Sequence, residues 1–251
     1  MIPFFRKTRK KMADDNKPLK YLRYAIGEIV LVVVGILIAL QINTYKNQQN
    51  DRLIEKKILT KLRVDIQKDT ADLNRLSFIR QNQKNSAEYM MRYFNDQSLI
   101  MKDTTLSSSQ ILAVFNFYLD NPSQTAFEMA KNSGNLFKIS NDKLVDSISL
   151  YFSNSSLSDF LLTIKELSVR MNAVLRSKYE VPSRLSNIYD PSVINHFYEK
   201  GFFKDLQMEN YYKEIIWNEH LTSTIFIKRK INNAIKLMKM IDHQLELLPE
   251  K

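Results

Sequence analysis

The stretch that decides the fold is AIGEIVLVVVGILIALQI, residues 25–42. It contains 18 residues and a single charge, Glu28. An α-helix rises about 1.5 Å per residue, so this run would span roughly 27 Å, which is close to the thickness of the hydrocarbon core of a bilayer. We therefore predict a transmembrane helix over residues 24–43.

The sequence around this run favours a permanent anchor over a cleaved signal peptide. The apolar run is long for the hydrophobic region of a signal peptide, and residues 38–42 (IALQI) contain no A-x-A cleavage site. Tyr21 and Tyr24 precede the run and Tyr45 follows it, as is typical of aromatic side chains at a membrane interface. We interpret the run as a signal-anchor embedded in the lipid bilayer.

The net charge of +10 is concentrated before this helix. Residues 1–24 carry eight Lys or Arg and two Asp, whereas the chain after Glu28 carries 29 basic and 24 acidic residues. A nucleic-acid-binding domain would spread its charge over a folded face, so no nucleic-acid partner is predicted. Basic residues beside a membrane helix remain on the cytoplasmic side. This predicts a basic cytoplasmic tail, residues 1–23, and a domain across the membrane, residues 44–251.

Small residues recur along the predicted membrane helix. Gly27, Gly35 and Ala39 are separated by multiples of four residues. Small residues let two membrane helices approach closely, which is how such helices associate inside lipid. We expect the helix to pack through Gly27, Gly35 and Ala39 against another copy or another membrane protein. The alternative is chance, because Gly and Ala are common in membrane helices.

Glu28 is the unusual residue of the helix. A carboxylate at the centre of the bilayer costs about 2–3 kcal/mol, and less near a helix end. Glu28 lies one turn inside the helix, so its side chain can extend toward Lys20 or Arg23 at the cytoplasmic surface. The alternative is a functional intramembrane acid that faces a partner or relays protons.

The sequence YAIGEIVLVVVGILIALQIN, residues 24–43, resembles the signature of an uncharacterised Bacteroidota family of single-pass membrane proteins, a domain of unknown function. Proteins of that family begin with a basic segment like residues 4–7 (FFRK), followed by a Gly-Glu pair and the run GILIALQIN, as at Gly27-Glu28 and residues 35–43. The family usually continues with Asn-Trp-Asn. This chain departs there, with Thr-Tyr-Lys at residues 44–46.

A second, shorter stretch resembles the outer domain of the same family. Residues 133–136 (SGNL), followed by Ile139, Asn141-Asp142 and Leu144, look like its helix-turn-helix junction. The resemblance implies a location in the inner membrane of a Gram-negative cell, with residues 44–251 in the periplasm. It implies no activity, because none is assigned to the family.

Composition predicts long helices beyond the membrane segment. The chain has only 4 Gly and 6 Pro, and residues 36–95 contain neither. We predict that the membrane helix continues as a long stalk helix, with a break near residues 47–50 as the alternative. Its apolar residues keep a helical spacing. They are Ile54, Ile58, Leu62, Ile66, Leu73, Leu76, Met90 and Phe94.

Capping and breaking signals then predict shorter helices. They begin near Ser107, Thr125, Asn141 and Ser156, and a break is expected at Asn121-Pro122. Residues 180–204 form the main irregular connection, and a last helix runs from about Asp205 to Leu247. Its predicted apolar stripe is Tyr212, Ile216, Leu221, Ile225, Ile231, Ile235, Met238 and Leu245. The predicted fold is all-α, an up-down helical bundle after the anchor and stalk.

The sequence contains no pattern typical of an enzyme. It has no cysteine, no Gly-rich phosphate loop and no serine in a nucleophile elbow. Glu219-His220 and Asp242-His243 are adjacent pairs, which point about 100° apart on a helix and cannot chelate one ion unaided. We predict no catalytic residue, metal or cofactor.

Two other groups of residues have structural and functional interpretations. Tyr151-Phe152, Tyr211-Tyr212 and Trp217 are expected in the core, with a ligand pocket as the alternative. The run at residues 228–230 (KRK) is expected to be a solvated face.

Three functional hypotheses follow. The first is a membrane-anchored scaffold or interaction protein that self-associates through its helix. The second is a periplasmic sensor, in which a helical bundle passes a small shift across the membrane to a separate partner. The third is an accessory subunit of an ion-driven inner-membrane complex that uses Glu28.

Overall fold

The part of the chain that the computed structural model describes is all-α, as predicted: its regular elements are all helices. Residues 1–17 of the predicted basic tail lie outside the described part, as do the predicted break at Asn121-Pro122 and most of the connection after Glu180. The described residues are 18–100, 102–103, 106, 108–114, 124–180 and 191–249.

The described helices follow one another with short connections. The α-helices are α1 (Pro18–Asn95), α2 (Ser108–Ala113), α3 (Thr125–Asn132), α4 (Asp142–Ser153), α5 (Ser156–Lys178), α6 (Pro191–Glu199), α7 (Leu206–Leu221) and α8 (Lys228–Leu247). Short 3₁₀ turns lie at Gln97–Leu99, Asn135–Lys138 and Phe202–Lys204, and a π-helical turn, Thr222–Ile227, joins α7 to α8.

The chain divides into two compact units, Met1–Ile54 and Glu55–Lys251, and α1 contributes to both. In the first unit, every residue from Ile29 to Ile42 is exposed. Within the described residues, α1 is the one helix long and apolar enough to cross a membrane. It continues without the break that was the alternative near residues 47–50.

In the second unit, α1 is a core helix of the bundle, so the predicted stalk is part of the bundle from Glu55 onward. Its buried positions alternate three and four residues apart, the heptad spacing of helices that pack side by side. Ile54, Ile58 and Phe94, expected on this stripe, are only partly buried at its edges. The regularly spaced buried residues are Glu55, Leu59, Leu62, Ile66, Asp69, Leu73, Leu76, Arg80, Gln83, Ala87 and Met90.

Two hydrophobic clusters cover this stripe. The first joins its beginning, residues 59–66, to α3, α4 and α8. The second joins residues 73–93 to α2, α5, α6 and α7. Because burying one large apolar side chain stabilises a fold by about 1.5–3 kcal/mol, these two clusters are the main source of the bundle's stability.

The junction between α3 and α4 has the helix-turn-helix geometry that the sequence predicted. Gly134 follows α3 with φ +69°, a left-handed conformation that disfavours residues with a Cβ. The side chain of Asn141 then accepts a hydrogen bond of 3.2 Å from the backbone N–H of Leu144, which caps α4. Local turn and cap chemistry is therefore sufficient to place this junction.

The predicted last helix is confirmed in its extent but not in its buried face. Asp205 caps α7 by accepting a bond of 2.9 Å from the N–H of Gln207, and helical structure continues to Leu247. Ile225 and Ile235 were expected on the apolar stripe, but both are exposed. A π-helical turn has more residues per turn than an α-helix, so Thr222–Ile227 shifts the face that points into the bundle.

Candidate functional site

In the first unit, the residues predicted to pack helices face open space in a single chain. A Cβ added to Gly27 or Gly35 would meet no atom within 4 Å, and Ala39 is exposed. The surface around them is therefore free to contact another helix or lipid.

These three small residues do not share one face. An α-helix turns about 100° per residue, which places Gly35 and Ala39 about 40° apart. Gly27 lies about 80° from Gly35 and about 120° from Ala39, whereas Glu28 lies within about 20° of both. A helix that packed on Gly35 and Ala39 would thus also meet Glu28.

Glu28 itself is partly buried and interacts with another residue. The side chain of Lys20 lies outside the described residues, and Arg23 is exposed. The extension of Glu28 toward the cytoplasmic surface therefore stays a prediction.

In the second unit, four polar residues occupy heptad positions of α1 that would ordinarily be apolar. They are Glu55, Asp69, Arg80 and Gln83, and all are buried. A buried charge destabilises a fold strongly unless it is paired and hydrogen-bonded. Each of the four residues interacts with one or more later segments of the chain.

Glu55 binds both the α3–α4 junction and α8. Its Oε1 accepts hydrogen bonds of 3.0 Å from the backbone N–H and from the hydroxyl of Ser140. The same oxygen accepts a bond of 2.9 Å from Nε2 of Gln244 in α8. A single carboxylate therefore joins three parts of the bundle.

Arg80 forms a buried ion pair with Glu219 in α7. Its Nη1 lies 3.1 Å from Oε1 of Glu219, and both side chains are 1% exposed. Nη1 also donates to Oε1 of Gln83, and Nε2 of Gln83 donates to the carbonyl of Ala113. Burial raises the pKa of Glu219 to about 7, although the charge of Arg80 opposes the shift. The adjacent His220 is exposed and takes no part.

Asp69 organises a third buried contact. The hydroxyl of Tyr151 in α4 donates a short hydrogen bond to its Oδ2, and Nζ of Lys230 in α8 lies 3.7 Å from the same oxygen. Lys230 also lies over the ring of Tyr151, 5.7 Å from its centroid. Burial, followed by the bond to Asp69, raises the pKa of Tyr151, so its hydroxyl keeps the proton that it donates.

A cavity of about 280 Å³ lies beside this contact. Its lining includes Arg229, Lys230 and Lys236 of α8 but no carboxylate. The side chain of Lys230 is only 16% exposed, so the run 228–230 is not uniformly the solvated face that was predicted. The remaining lining residues are Ser147, Leu150, Tyr151, Asn154, Ser156, Leu157, Phe226, Asn233, Leu237 and Met240.

The other aromatic residues divide between core and surface. Phe152, Tyr211 and Tyr212 are buried as expected. The hydroxyl of Tyr212 donates a bond of 2.8 Å to the carbonyl of Ile111. Trp217 is 63% exposed, so its expected core position is wrong.

The histidines lie apart from these contacts. Nε2 of His196 lies 2.7 Å from the carbonyl oxygen of Tyr179, while His220 and His243 are exposed. Asp242, the neighbour of His243, forms an ion pair with Arg63 of α1. Among the residues that the structure describes, no group of three His, Cys, Asp or Glu is arranged to hold a metal ion.

Sequence reasoning missed the buried polar residues of α1 because charged residues are usually exposed. The signal that could have found them is the heptad spacing, which passes through Asp69 and Arg80 without interruption. No protein-family model, curated protein or solved structure matches the chain. Its function therefore has to be argued from the two units.

Proposed function

We propose that the protein is a single-pass membrane protein that binds other proteins and has no catalytic role. Residues 25–42 form its anchor, and the helical unit that begins at Glu55 is a periplasmic scaffold or interaction domain. The observation that carries the proposal is the exposed apolar surface of α1 between Ile29 and Ile42.

This surface is too apolar to be stable in water. Leaving a large apolar side chain exposed forgoes about 1.5–3 kcal/mol of burial, and more than ten such side chains lie in this segment. A bilayer removes the cost because its core is apolar on every side of the helix. The basic residues before the segment favour a cytoplasmic N-terminus, which gives the second unit a location across the inner membrane.

We further propose that the anchor self-associates through a face that contains Gly35 and Ala39. Both positions face open space, and small residues at a separation of four allow close contact between helices in lipid. Replacing both with Leu should lower the signal of a membrane two-hybrid assay, because the larger side chains keep the two helix backbones apart.

Two control variants define the packing face. Val30→Leu/Val33→Leu enlarges the opposite side of the helix and should leave the signal unchanged. Gly27→Leu repeats the change from Gly to Leu about 80° away from Gly35 and should have a smaller effect. An unchanged signal from Gly35→Leu/Ala39→Leu would exclude self-association through this face.

A second function, that of a sensor, is favoured by the cavity beside Tyr151. A small molecule bound between α4 and α8 would stabilise one arrangement of the two helices relative to another. A thermal-shift screen of the protein in lipid tests this function, and it fails if no small molecule raises the unfolding temperature.

The position of Glu28 on the Gly35 face favours a further alternative, an accessory subunit of an ion-driven complex. In that case Glu28 would face the partner, and Glu28→Gln should abolish activity of the complex while the protein is still expressed. A fully active Gln variant would exclude this role.

A further inference from the structure

The cavity beside Tyr151 is built from two helix faces and the start of a third helix. On α4, Ser147, Leu150 and Tyr151 recur at helical spacing, Asn154 directly follows the helix, and a face of α8 lies opposite. The first residues of α5, Ser156 and Leu157, also line it. Asn154 and Phe226, in the segments that connect these helices, contribute the rest of the wall.

The charge of the lining is positive. The side chains of Arg229 and Lys236 form no hydrogen bond or ion pair with any described residue, whereas the side chain of Lys230 is paired with Asp69. No carboxylate lines the cavity. Two cations at a concave, partly apolar surface produce a positive potential that concentrates small anions.

The start of α5 brings helix N–H groups to the cavity wall, and Asp159 in its first turn, which accepts a hydrogen bond of 2.7 Å from the hydroxyl of Ser155, offsets part of the positive charge there. Ser155 precedes the helix, but its side chain makes no capping hydrogen bond to the helix N–H groups. Asn154 accepts a bond of 3.1 Å from the N–H of Ser156, which satisfies one of them. The N-terminus of a 23-residue helix carries a partial positive charge, and here its first residues lie in the cavity wall.

One wall is held in place from behind by a buried group. Asp69 is 1% exposed, and it accepts a hydrogen bond from the hydroxyl of Tyr151 while it attracts the ammonium group of Lys230. The ring of Tyr151 and the side chain of Lys230 are thus fixed before any ligand arrives. Such preorganisation lowers the entropy cost of binding.

The lining also contains an apolar part, beside neutral polar residues such as Ser147 and Asn233. Leu150, Leu157, Phe226, Leu237 and Met240 provide aliphatic and aromatic surface. A volume of about 280 Å³ is at the lower end of the range for small-molecule sites. A ring or a short alkyl chain would occupy it.

We propose that this cavity binds a small amphipathic organic anion, with its carboxylate or phosphate near Arg229 and Lys236 and its apolar part against Leu157 and Phe226. The proposal rests on the fold of the second unit and not on membrane anchoring or self-association. Its failure would therefore leave the proposed function of the anchor unaffected.

The test uses the full chain in lipid nanodiscs and isothermal titration calorimetry, with empty nanodiscs to subtract partition into lipid. Benzoate, hexanoate and phenyl phosphate are the probes, and benzamide and hexanamide are their neutral counterparts. We expect at least one anion to bind one site per chain with a Kd of about 1 mM or lower, and the neutral compounds at least about tenfold more weakly. The stronger of carboxylate and phosphate identifies the head group. Failure of all three anions to bind below about 10 mM, or equal binding of the neutral compounds, would overturn the proposal.

Matched variants of α8 locate the site. Arg229→Gln/Lys236→Gln should weaken binding about tenfold, because it removes the two unpaired cations of the lining. Lys228→Gln/Lys239→Gln removes the same net charge from exposed positions outside the lining and should change binding less than about twofold. Binding unchanged in the first variant, or equally weakened in both, would show that the cavity is not the site.

Discussion

The two parts of α1 distribute their polar residues in opposite ways. Residues 25–42 contain one charge in an otherwise apolar run, and the side chains from Ile29 to Ile42 are uncovered on every side. Residues 55–90 place charged and amide side chains inside the bundle core, where later helices pair with them. A single continuous helix therefore presents apolar residues outward in one part and buries polar residues in the other.

The difference shows that burial in this helix is set by what surrounds it and not by residue type alone. The first part requires apolar surroundings that the chain itself does not provide. In the second part, buried polar residues act as specific cross-links, because their hydrogen-bond and ion-pair partners come within reach only in the correct register. The contrast leads to three predictions.

The largest effect is expected from charges placed in the first part. Leu31→Arg/Leu37→Arg should remove the protein from carbonate-washed membranes, because each Arg near the centre of a membrane helix costs about 2.5–3.5 kcal/mol. The matched control introduces Arg at two exposed apolar positions of the second part, Val64 and Phe78, which are 43% and 68% exposed. Loss of membrane retention in the control as well would contradict the division of α1 into two environments.

A smaller effect is expected from breaking a polar cross-link in the second part. Arg80→Met should lower the free energy of unfolding by about 3–5 kcal/mol, because it leaves Glu219 buried without its cation. Arg80→Met/Glu219→Leu should recover most of the loss. Circular dichroism during denaturant unfolding in nanodiscs measures both, and Arg75→Met is the exposed control. A single variant as stable as the wild type would show that the ion pair is not needed.

The smallest effect concerns pH. Burial raises the pKa of Glu219 from 4.5 to about 7, so between these values the unfolded chain has lost a proton that the folded chain retains. Stability is then greatest at low pH and decreases as pH rises toward 7. We expect a decrease of about 2–3 kcal/mol between pH 5 and pH 8, relative to Arg80→Met/Glu219→Leu. The same slope in that double variant would assign the pH dependence to another group.

Features determined by local sequence could be predicted. The apolar run and the helix starts at Asn141 and Asp205 depend on residues within a few positions of one another. The all-α class follows from the same local signals and from the scarcity of Gly and Pro.

Features determined by distant contacts could not be predicted from the sequence. Arg80 and Glu219 are 139 residues apart, and nothing near either residue indicates that it is buried. The π-helical turn after Leu221 changed which isoleucines of the last helix point inward. The cavity could be predicted only in part. The sequence offers Tyr151 as a pocket residue, as the alternative to the core, but it places Lys230 in a run expected to be a solvated face.

The cross-links between α1 and α8 also have a consequence for synthesis of the protein. Glu55 and Gln244 are 189 residues apart, and Arg63 and Asp242 are 179 residues apart. Translation adds about 5–20 residues per second, so the apolar stripe around Leu59 stays uncovered for roughly 10–40 s until α8 has been synthesised. The start of the core is thus made first and completed last, and its apolar surface is open to non-native contacts while the rest of the chain is synthesised.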